Sequence, residues 1–231
     1  MSLTNRLAEQ TFDYKHKGSP GSRFRQKRVA GLLELIDAAH AEKGHVTVID
    51  VGGTRHYWNV VDEAYLESRD VRVTLVNLPG DHASTSEGRF TFLPGDACDL
   101  ADFADRSFDV AHSNSVVEHV GDWSQMTAYA REISRVADRY FVQTPNFGFP
   151  VEPHAMTPFL HWLPKPVRVK LVMRFGLGHW KRQPDVASAV RRVDSARLLS
   201  GQMFAALFPD AEIQRERIGP LTKSWIAVRR G

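Results

Sequence analysis

The sequence predicts an α/β fold with a doubly wound, mostly parallel seven-stranded sheet and an antiparallel hairpin at its C-terminal edge. Strand-like and helix-like segments alternate between residues 45 and 146, and this alternation is typical of a parallel sheet. A pair of glycines, Gly52 and Gly53, follows the first strand-like segment. Two further strand-like segments lie close together near the last residue, and their short spacing favours an antiparallel hairpin.

The composition is that of an ordinary globular chain. The 231 residues are 42% hydrophobic and 25% charged, so one large domain with its own core is expected. The formal net charge of +3 is too small to imply a nucleic-acid partner by itself. Cys98 is the one cysteine, which excludes an internal disulfide, and no Cys/His spacing suggests zinc, so no metal is expected. No apolar run of about 18 residues occurs, and a cytoplasmic location is expected.

The predicted elements follow one another along the chain. Residues 1–28 form a polar N-terminal segment, and the main domain is expected over 29–231. A helix is predicted from the basic run at 23–28 to about residue 42. β-Branched and aromatic residues predict strands over 45–51, 71–78, 89–95, 107–113 and 139–145. Helical spacing of apolar residues predicts helices over 122–137 and 195–209, before the two final strands.

The glycine pair indicates a ligand site at the end of the first strand. The stretch "VIDVGGT" puts Asp50, Gly52 and Gly53 at the carboxyl end of that strand, where open parallel sheets bind their ligands. The third glycine of a dinucleotide fingerprint is missing, and so is the Gly-Lys-Ser/Thr of a P-loop. A phosphate site is therefore a poor interpretation of this turn.

Three more strand ends carry small or polar residues in a recognisable order. They are Asn77-Leu78, Gly95-Asp96-Ala97 and Ser113-Asn114-Ser115, the last of them followed by Glu118-His119-Val120. Together with the glycine turn, this series resembles the class I S-adenosylmethionine-dependent methyltransferases, and it looks closest to their small-molecule branch. The later "TPN" to "EPH" to "HWLP" run is loosely similar to bacterial methyltransferases of surface-polysaccharide biosynthesis. The resemblance implies a Rossmann-like methyltransferase fold and S-adenosyl-L-methionine as the cofactor.

The resemblance also implies which residues bind that cofactor. The implied set is Asp50, Gly52, Gly53, Asn77, Leu78, Asp96, Ala97, Ser113 and Asn114. Asp50 would orient the methionine end, and Asp96 would accept a hydrogen bond from the adenine amino group. Asn77 departs from the family, which usually has an acidic residue there to hold both ribose hydroxyls. A neutral amide offers weaker hydrogen bonds than a carboxylate, so weaker ribose binding is expected.

His119, His154 and Glu152 are the candidate catalytic residues. Methyl transfer is an in-line displacement, in which alignment matters most and a base assists an oxygen or nitrogen acceptor. Histidine titrates near neutral pH, and both histidines follow predicted strands at the acceptor side of the sheet. Glu152 would orient His154 or contact a substrate hydroxyl. The alternative is that His119 braces its turn and that Glu152 and His154 form a structural turn between Pro150 and Pro153.

The alternation of strands and helices breaks over about 147–190, which we interpret as an inserted cap. Residues 153–184 contain no Asp or Glu but six Lys or Arg residues, with aromatic residues among them. Three interpretations remain open: a lid that recruits an acidic substrate, a peripheral contact with an anionic membrane, or a solvated cap. The basic run 23–28 is most simply a solvated face, although Arg23 or Arg25 could reach the cofactor's carboxylate.

The sequence therefore predicts methyl transfer from S-adenosyl-L-methionine to a small-molecule acceptor at oxygen, the acceptor being acidic or sugar-containing. A nucleic-acid partner is not expected, and the oligomeric state is left open. Two alternatives remain: an RNA or protein methyltransferase, and a cofactor- or partner-binding module without turnover.

Overall fold

The computed structural model of the protein describes residues 20–80 and 85–231, and side chains in the first helix from residue 28 on. The strands are β1 (Val46–Val51), β2 (Val71–Asn77), β3 (Thr85–Glu87), β4 (Phe90–Pro94), β5 (Phe108–Asn114), β6 (Ala137–Pro145), β7 (Val151–Glu152), β8 (Thr157–Pro158), β9 (Glu212–Ile218) and β10 (Leu221–Arg229). The helices are α1 (Pro20–Lys43), α2 (Arg55–Trp58), α3 (Glu63–Ser68), α4 (Trp123–Val136), α5 (Lys165–Arg174), α6 (Val186–Asp194) and α7 (Gly201–Leu207). Short 3₁₀ turns lie at Val117–His119 and Leu160–Trp162.

The main sheet has the strand order β3-β4-β2-β1-β5-β6-β10-β9. Strands β4, β2, β1, β5 and β6 are parallel, while β3 and the β9–β10 hairpin are antiparallel to their neighbours. The predicted doubly wound fold with an antiparallel C-terminal edge is confirmed. The sheet has eight strands rather than the predicted seven, because Thr85–Glu87 pairs with β4. All three residues of β3 are exposed and none is apolar, so no hydrophobic pattern could reveal this strand.

Helices cover both faces of the sheet. One core holds the apolar face of α1 together with Tyr57, Trp58 and Leu66 from α2 and α3. The other core holds α4 and α7, with Tyr129 and Phe204 among its largest buried side chains. A capping box starts α4, because Asp122 accepts from the Gln125 amide and the Gln125 side chain accepts from the Asp122 amide.

The helix predicted over 195–209 is correct only for Gly201–Leu207. Ser200 caps that helix by accepting a hydrogen bond from the Met203 amide, and the preceding Leu199 forms a bridge with Asn146 beside the sheet. Leu199 therefore lies beside the end of β6 and not in a helical turn.

The segment between β6 and α7 carries its own small core. Buried apolar residues from Ala155 to Val193 pack together in it, with Trp180 as the largest member. The β7–β8 hairpin and the two contacting helices α5 and α6 contribute to this core, so the irregular segment reaches as far as Asp194. In the described parts of the chain, no helix is long and apolar enough to cross a membrane.

Candidate active site

The carboxyl ends of β1 and β5 border a cleft of about 190 Å³. Strand β1 pairs with β2 on one side and with β5 on the other, so the chain winds away from this point in both directions. Such a switch point is where open α/β sheets bind their ligands. The lining residues are Asp50, Gly52, Gly53, Thr54, His56, Tyr57, His112 and Asn114.

Asp50 lies in the floor of this cleft as a fully buried carboxylate. Its Oδ2 accepts from Trp58 Nε1 at 2.8 Å, and its Oδ1 lies 2.7 Å from His112 Nδ1. Because both oxygens are engaged within the protein, Asp50 can act on a ligand's cationic group chiefly through His112.

Neither Trp58 nor His112 was among the site residues predicted from the sequence. His112 Nε2 is buried, and the described structure gives it no hydrogen-bond partner. The ring is stacked between Tyr57, at a centroid distance of 4.8 Å, and Phe141, at 6.2 Å. The available signal was the parallel register, which pairs His112 directly with Asp50. No pattern in the sequence marks Trp58.

At both glycines of the turn, neighbouring side chains of the protein fill the space that a Cβ would need. Gly52 has φ +75°, and a Cβ there would come within 2.4 Å of the Val116 side chain. A Cβ on Gly53 would lie 1.8 Å from Asp50 Oδ2. The glycine pair therefore leaves room for the buried carboxylate beneath the turn.

Asn77, at the end of β2, donates from Nδ2 to the Gly53 carbonyl oxygen at 2.8 Å. An ionised carboxylate at this position could not donate that hydrogen bond. The amide of Asn77 is therefore needed to hold the glycine turn. The Asn77 Oδ1 remains the acceptor that could face a ribose hydroxyl.

The remaining residues expected at the adenine end lie along the open edge beyond β2 and β4. Leu78 is 71% exposed, which suits a side chain that packs on a flat ring. Asp96 is exposed and accepts from the Cys98 amide at 2.8 Å, which fixes the loop around Ala97.

The two residues expected from β5 differ in their surroundings. Ser113 is fully buried and donates to the Val51 carbonyl at 2.7 Å, so its hydroxyl links β5 to β1. Asn114 borders the cleft, and its Oδ1 accepts from Arg28 Nη1 at 2.5 Å. Arg28 thus connects α1 to the cleft, whereas the side chains of Arg23 and Arg25 lie outside the described residues.

A second group of polar residues lies just beyond the ends of β5 and β6. Glu118 is only 1% exposed, and its Oε2 accepts from Thr144 Oγ1 at 2.9 Å. Its other oxygen, Oε1, lies 4.0 Å from His154 Nε2. Sequence reasoning quoted Glu118 as part of the motif but gave it no role.

The structure brings the three candidate catalytic residues into this group. His154 Nδ1 lies 2.8 Å from Glu152 Oε1, and Glu152 also accepts from the Ala155 amide. His119 is exposed, and its ring meets that of His154 edge to face at 4.7 Å. His119 Nδ1 lies 2.6 Å from the Ser195 carbonyl oxygen. We name Glu118, His119, Glu152 and His154 the polar cluster.

The environment moves the pKa values of the polar cluster in different directions. Burial raises the pKa of the Glu118 carboxyl above its ordinary value, because the charged form loses its hydration. Burial opposes the charged form of His154, but the hydrogen bond and charge of Glu152 outweigh it and raise the pKa of His154. Burial likewise opposes ionisation of Glu152, yet hydrogen bonds from His154 and the Ala155 amide lower its pKa overall.

A cavity of about 370 Å³ lies among the residues of the cap, with one residue of the polar cluster in its wall. Glu152 belongs to its wall, and so does Arg197, whose amide donates to the Glu118 carbonyl at 2.7 Å. Lys165 and Arg168 also line the cavity. Lys165 Nζ donates to Asp194 Oδ2 of the same wall at 2.5 Å, whereas the buried Nε of Arg168 has no partner within the described structure. This cavity can take a polar, anionic molecule beside the polar cluster.

Comparison with known proteins supports a methyltransferase fold. Residues 54–139 match a family model described as a methyltransferase domain, and no curated protein matches the sequence. A solved S-adenosylmethionine-dependent methyltransferase from Archaeoglobus fulgidus aligns over 96% of this chain and 97% of its own, at 13% identity and a TM-score of 0.54. That alignment identifies the fold.

Two more distant structures have TM-scores below 0.5. One is the Burkholderia thailandensis 1,6-didemethyltoxoflavin-N1-methyltransferase with bound S-adenosylhomocysteine, at 16% identity, TM-score 0.46, and coverage of 86% of this chain and 77% of that chain. The other is an O-methyltransferase family protein from the same species, at 14% identity, TM-score 0.46, and coverage of 96% and 61%.

Proposed function

We propose that this chain, a class I S-adenosylmethionine-dependent methyltransferase, transfers a methyl group to an oxygen of a small acceptor that carries an anionic or sugar group. The enzyme class rests on the methyltransferase domain at residues 54–139 and on the fold. The acceptor, its oxygen and the residue roles below are our inference from the geometry.

The cleft residues fit the cofactor. The glycine turn keeps side chains away from the strand end, and Leu78 offers an exposed apolar surface for an adenine ring. The unpartnered Nε2 of His112 supplies a polar atom for the methionine end. S-adenosylmethionine supplies an electrophilic methyl group on a sulfonium when it is bound.

One observation carries the choice of acceptor: the cavity beneath the cap gathers Lys165, Arg168 and Arg197 beside the polar cluster. Arg168 and Arg197 carry guanidinium groups, which bind carboxylates and phosphates through charge-assisted hydrogen bonds. This arrangement supports the lid interpretation of the cap over a membrane contact.

The polar cluster would activate the acceptor. Glu118 and His119 follow β5, and Glu152 links His154 to the wall of the cap cavity, which supports a role for this cluster beside the acceptor. The acceptor oxygen forms the new bond to the methyl carbon while the carbon–sulfur bond breaks and its electron pair returns to sulfur. The acceptor proton leaves to the polar cluster, in which Glu152 orients His154.

Two measurements test this proposal. Isothermal titration calorimetry should detect stoichiometric binding of S-adenosylhomocysteine, and no binding would overturn the cofactor assignment. Methyl transfer to a panel of carboxylated and phosphorylated sugars should then identify the acceptor class, with neutral sugars and short RNAs as comparisons. Transfer to RNA alone would overturn the small-molecule assignment.

Arg168→Gln should raise KM for the anionic acceptor about tenfold with little effect on S-adenosylhomocysteine binding, because it removes a charged contact in the cavity. Lys170→Gln is the matched control, since Lys170 is exposed on the same helix and does not line the cavity. Equal KM values for the two variants would remove the support for an anionic acceptor.

A further inference from the structure

We propose that Glu118, His119 and His154 form a binding site for a divalent transition-metal ion beyond the ends of β5 and β6. Each of the three residues offers one ligand atom, and the three atoms lie within 4.8 Å of one another. Two imidazoles and one carboxylate are a ligand set that Zn²⁺ and Fe²⁺ use in catalytic centres, where coordination positions stay open for substrate.

Both histidines are already oriented as metal ligands are. The Ser195 carbonyl can only accept, so His119 Nδ1 carries a proton and Nε2 keeps the lone pair of the neutral ring. The same holds for His154, whose Nδ1 faces the Glu152 carboxylate. Metal-binding histidines commonly donate their second nitrogen to a carbonyl or carboxylate in this way, which fixes the ring and raises its basicity.

A buried oxygen of Glu118, unpartnered among the described residues, is the second observation that points to a bound cation. Its Oε1 is buried, and no residue that the structure describes donates a hydrogen bond to it. An unpartnered buried carboxylate oxygen is costly, because it has lost its hydration without replacement. A cation between Glu118 and the two imidazoles would supply the missing partner.

Only small side-chain movements are needed to close the site. Ligand atoms around tetrahedral zinc lie about 3.4 Å apart, given metal–ligand distances of about 2.1 Å. The Glu118 Oε1 to His154 Nε2 distance is 4.0 Å, so these two atoms must approach by well under about 1 Å. His119 is exposed at the end of a 3₁₀ turn, so its side chain can shift slightly without disturbing the core.

The ion would have a role in the proposed reaction. Glu152 lines the cap cavity and bonds to His154, so an acceptor held in that cavity would lie near the ion. A divalent ion there would make the acceptor hydroxyl more acidic, so that its proton could pass to solvent water, and the histidines would act as ligands rather than as the base. This role rests on the proposed methyl transfer, whereas binding of the ion does not.

Metal binding can be measured directly on the whole chain after dialysis against a chelator. Zn²⁺ titration by calorimetry should give one tight site, and Co²⁺ should give visible d–d absorption. Glu118→Gln and His154→Ala should each weaken Zn²⁺ binding about 100-fold or more and abolish the Co²⁺ spectrum. Glu152→Gln should weaken binding about 10- to 100-fold, because it removes only the support of His154.

His45→Ala is the matched control. His45 is an exposed histidine just before the start of β1, at the opposite end of the parallel strands from the proposed site. Its loss should leave Zn²⁺ affinity unchanged. If Glu118→Gln or His154→Ala fails to fold, His119→Ala serves instead, because His119 is exposed. Circular dichroism melting with and without Zn²⁺ should show a higher Tm for the wild type and no change for His119→Ala.

The proposal is overturned if the wild type binds Zn²⁺ no more tightly than the Glu118, His119 and His154 variants do, in which case the residues form a Glu–His ion pair. S-adenosylhomocysteine calorimetry on the same samples keeps the two proposals apart. Zn²⁺ binding without nucleoside binding would reject the methyl transfer and leave the metal site standing.

Discussion

Gly53 and Asp50 share a space that holds either a methyl group or a carboxylate, but not both. A Cβ at residue 53 would sit 1.8 Å from Asp50 Oδ2. Gly53→Ala must therefore push Asp50 away from Trp58 and His112, which hold it by hydrogen bonds. Overpacking together with a disturbed buried network should cost about 1–3 kcal/mol of unfolding free energy.

Urea denaturation of the Gly53→Ala variant checks this expectation. Gly80→Ala is the control, because the nearest atom to its Cβ would be 3.8 Å away. Equal midpoints for the two alanine variants would contradict the packing described here.

Residue 77 must donate a hydrogen bond to the glycine turn, which an asparagine can do and an ionised aspartate cannot. Asn77→Asp replaces the donor to the Gly53 carbonyl by a charged acceptor, so the bond at 2.8 Å becomes a repulsion. We expect a loss of about 1–3 kcal/mol in stability without ligand. Asn59→Asp is the isosteric comparison, because Asn59 is exposed and its Oδ1 already accepts from Arg55. A thermal unfolding series in which both variants melt alike would argue against this bond.

The sequence specified the residues at the strand ends but not their partners. Gly52, Gly53 and the motifs after β2, β4 and β5 could be found because turn chemistry is local in the sequence. The Trp58 bond to Asp50 could not, because it depends on how a four-residue helix packs under the turn.

At the scale of elements, Asp109 fastens β5 to β1 and to the end of α1. Its carboxylate accepts from the Thr47 amide and hydroxyl, each at 2.8 Å, and from Lys43. Burial would raise the pKa of Asp109, but the hydrogen bonds from Lys43 and Thr47 outweigh it and lower that pKa. The folded pKa is thus below the unfolded one, so the stabilisation is present above the unfolded pKa and is lost as pH falls through the folded value.

The Asp109→Asn variant should therefore be less stable than the wild type by about 1–3 kcal/mol at neutral pH. The difference should shrink below about pH 4, near the unfolded pKa of an aspartate. Urea unfolding at a series of pH values measures both numbers. A difference that stays constant down to acid pH would mean that the ionised carboxylate is not what holds these elements together.

Elements with a strong hydrophobic period could be predicted from the sequence, and those without one could not. The buried strands β1, β2 and β6 and the amphipathic α4 were found nearly to their ends. Strand β3 lacks any apolar residue, and the start of α7 is set by the Ser200 cap. Three of the four residues of the polar cluster were candidates from the sequence. Glu118 was not, because it meets Thr144 and His154 only through tertiary packing.

At the scale of the whole molecule, Arg28 joins α1 to the far edge of the sheet. Its guanidinium donates to both oxygens of Glu216, at 2.7 Å to Oε2 and 3.1 Å to Oε1. Burial would raise the pKa of Glu216, but the charges of Arg28 and Lys223 lower it. Residues 188 positions apart in the sequence thus share one largely buried ion pair.

A double-mutant cycle tests this connection. Arg28→Met and Glu216→Gln should each cost about 1–3 kcal/mol, less than a fully buried isolated pair because Lys223 also faces Glu216. The double variant should cost clearly less than the sum, with a coupling free energy of about 1–2 kcal/mol. Additive losses in guanidinium denaturation would mean that the pair contributes nothing as a pair.

The guanidinium of Arg28 also donates a hydrogen bond to Asn114 at the cleft, so it links Asn114 to Glu216. A nucleoside that moves the Asn114 side chain must therefore change the hydrogen bond to Arg28, and through Arg28 the ion pair with Glu216 on β9. Hydrogen–deuterium exchange of the β9 amides should accordingly respond when S-adenosylhomocysteine occupies a cleft on the other side of β6 and β10. Exchange at β9, the outermost strand, would then reveal whether the cleft is occupied, although β9 does not contact the ligand.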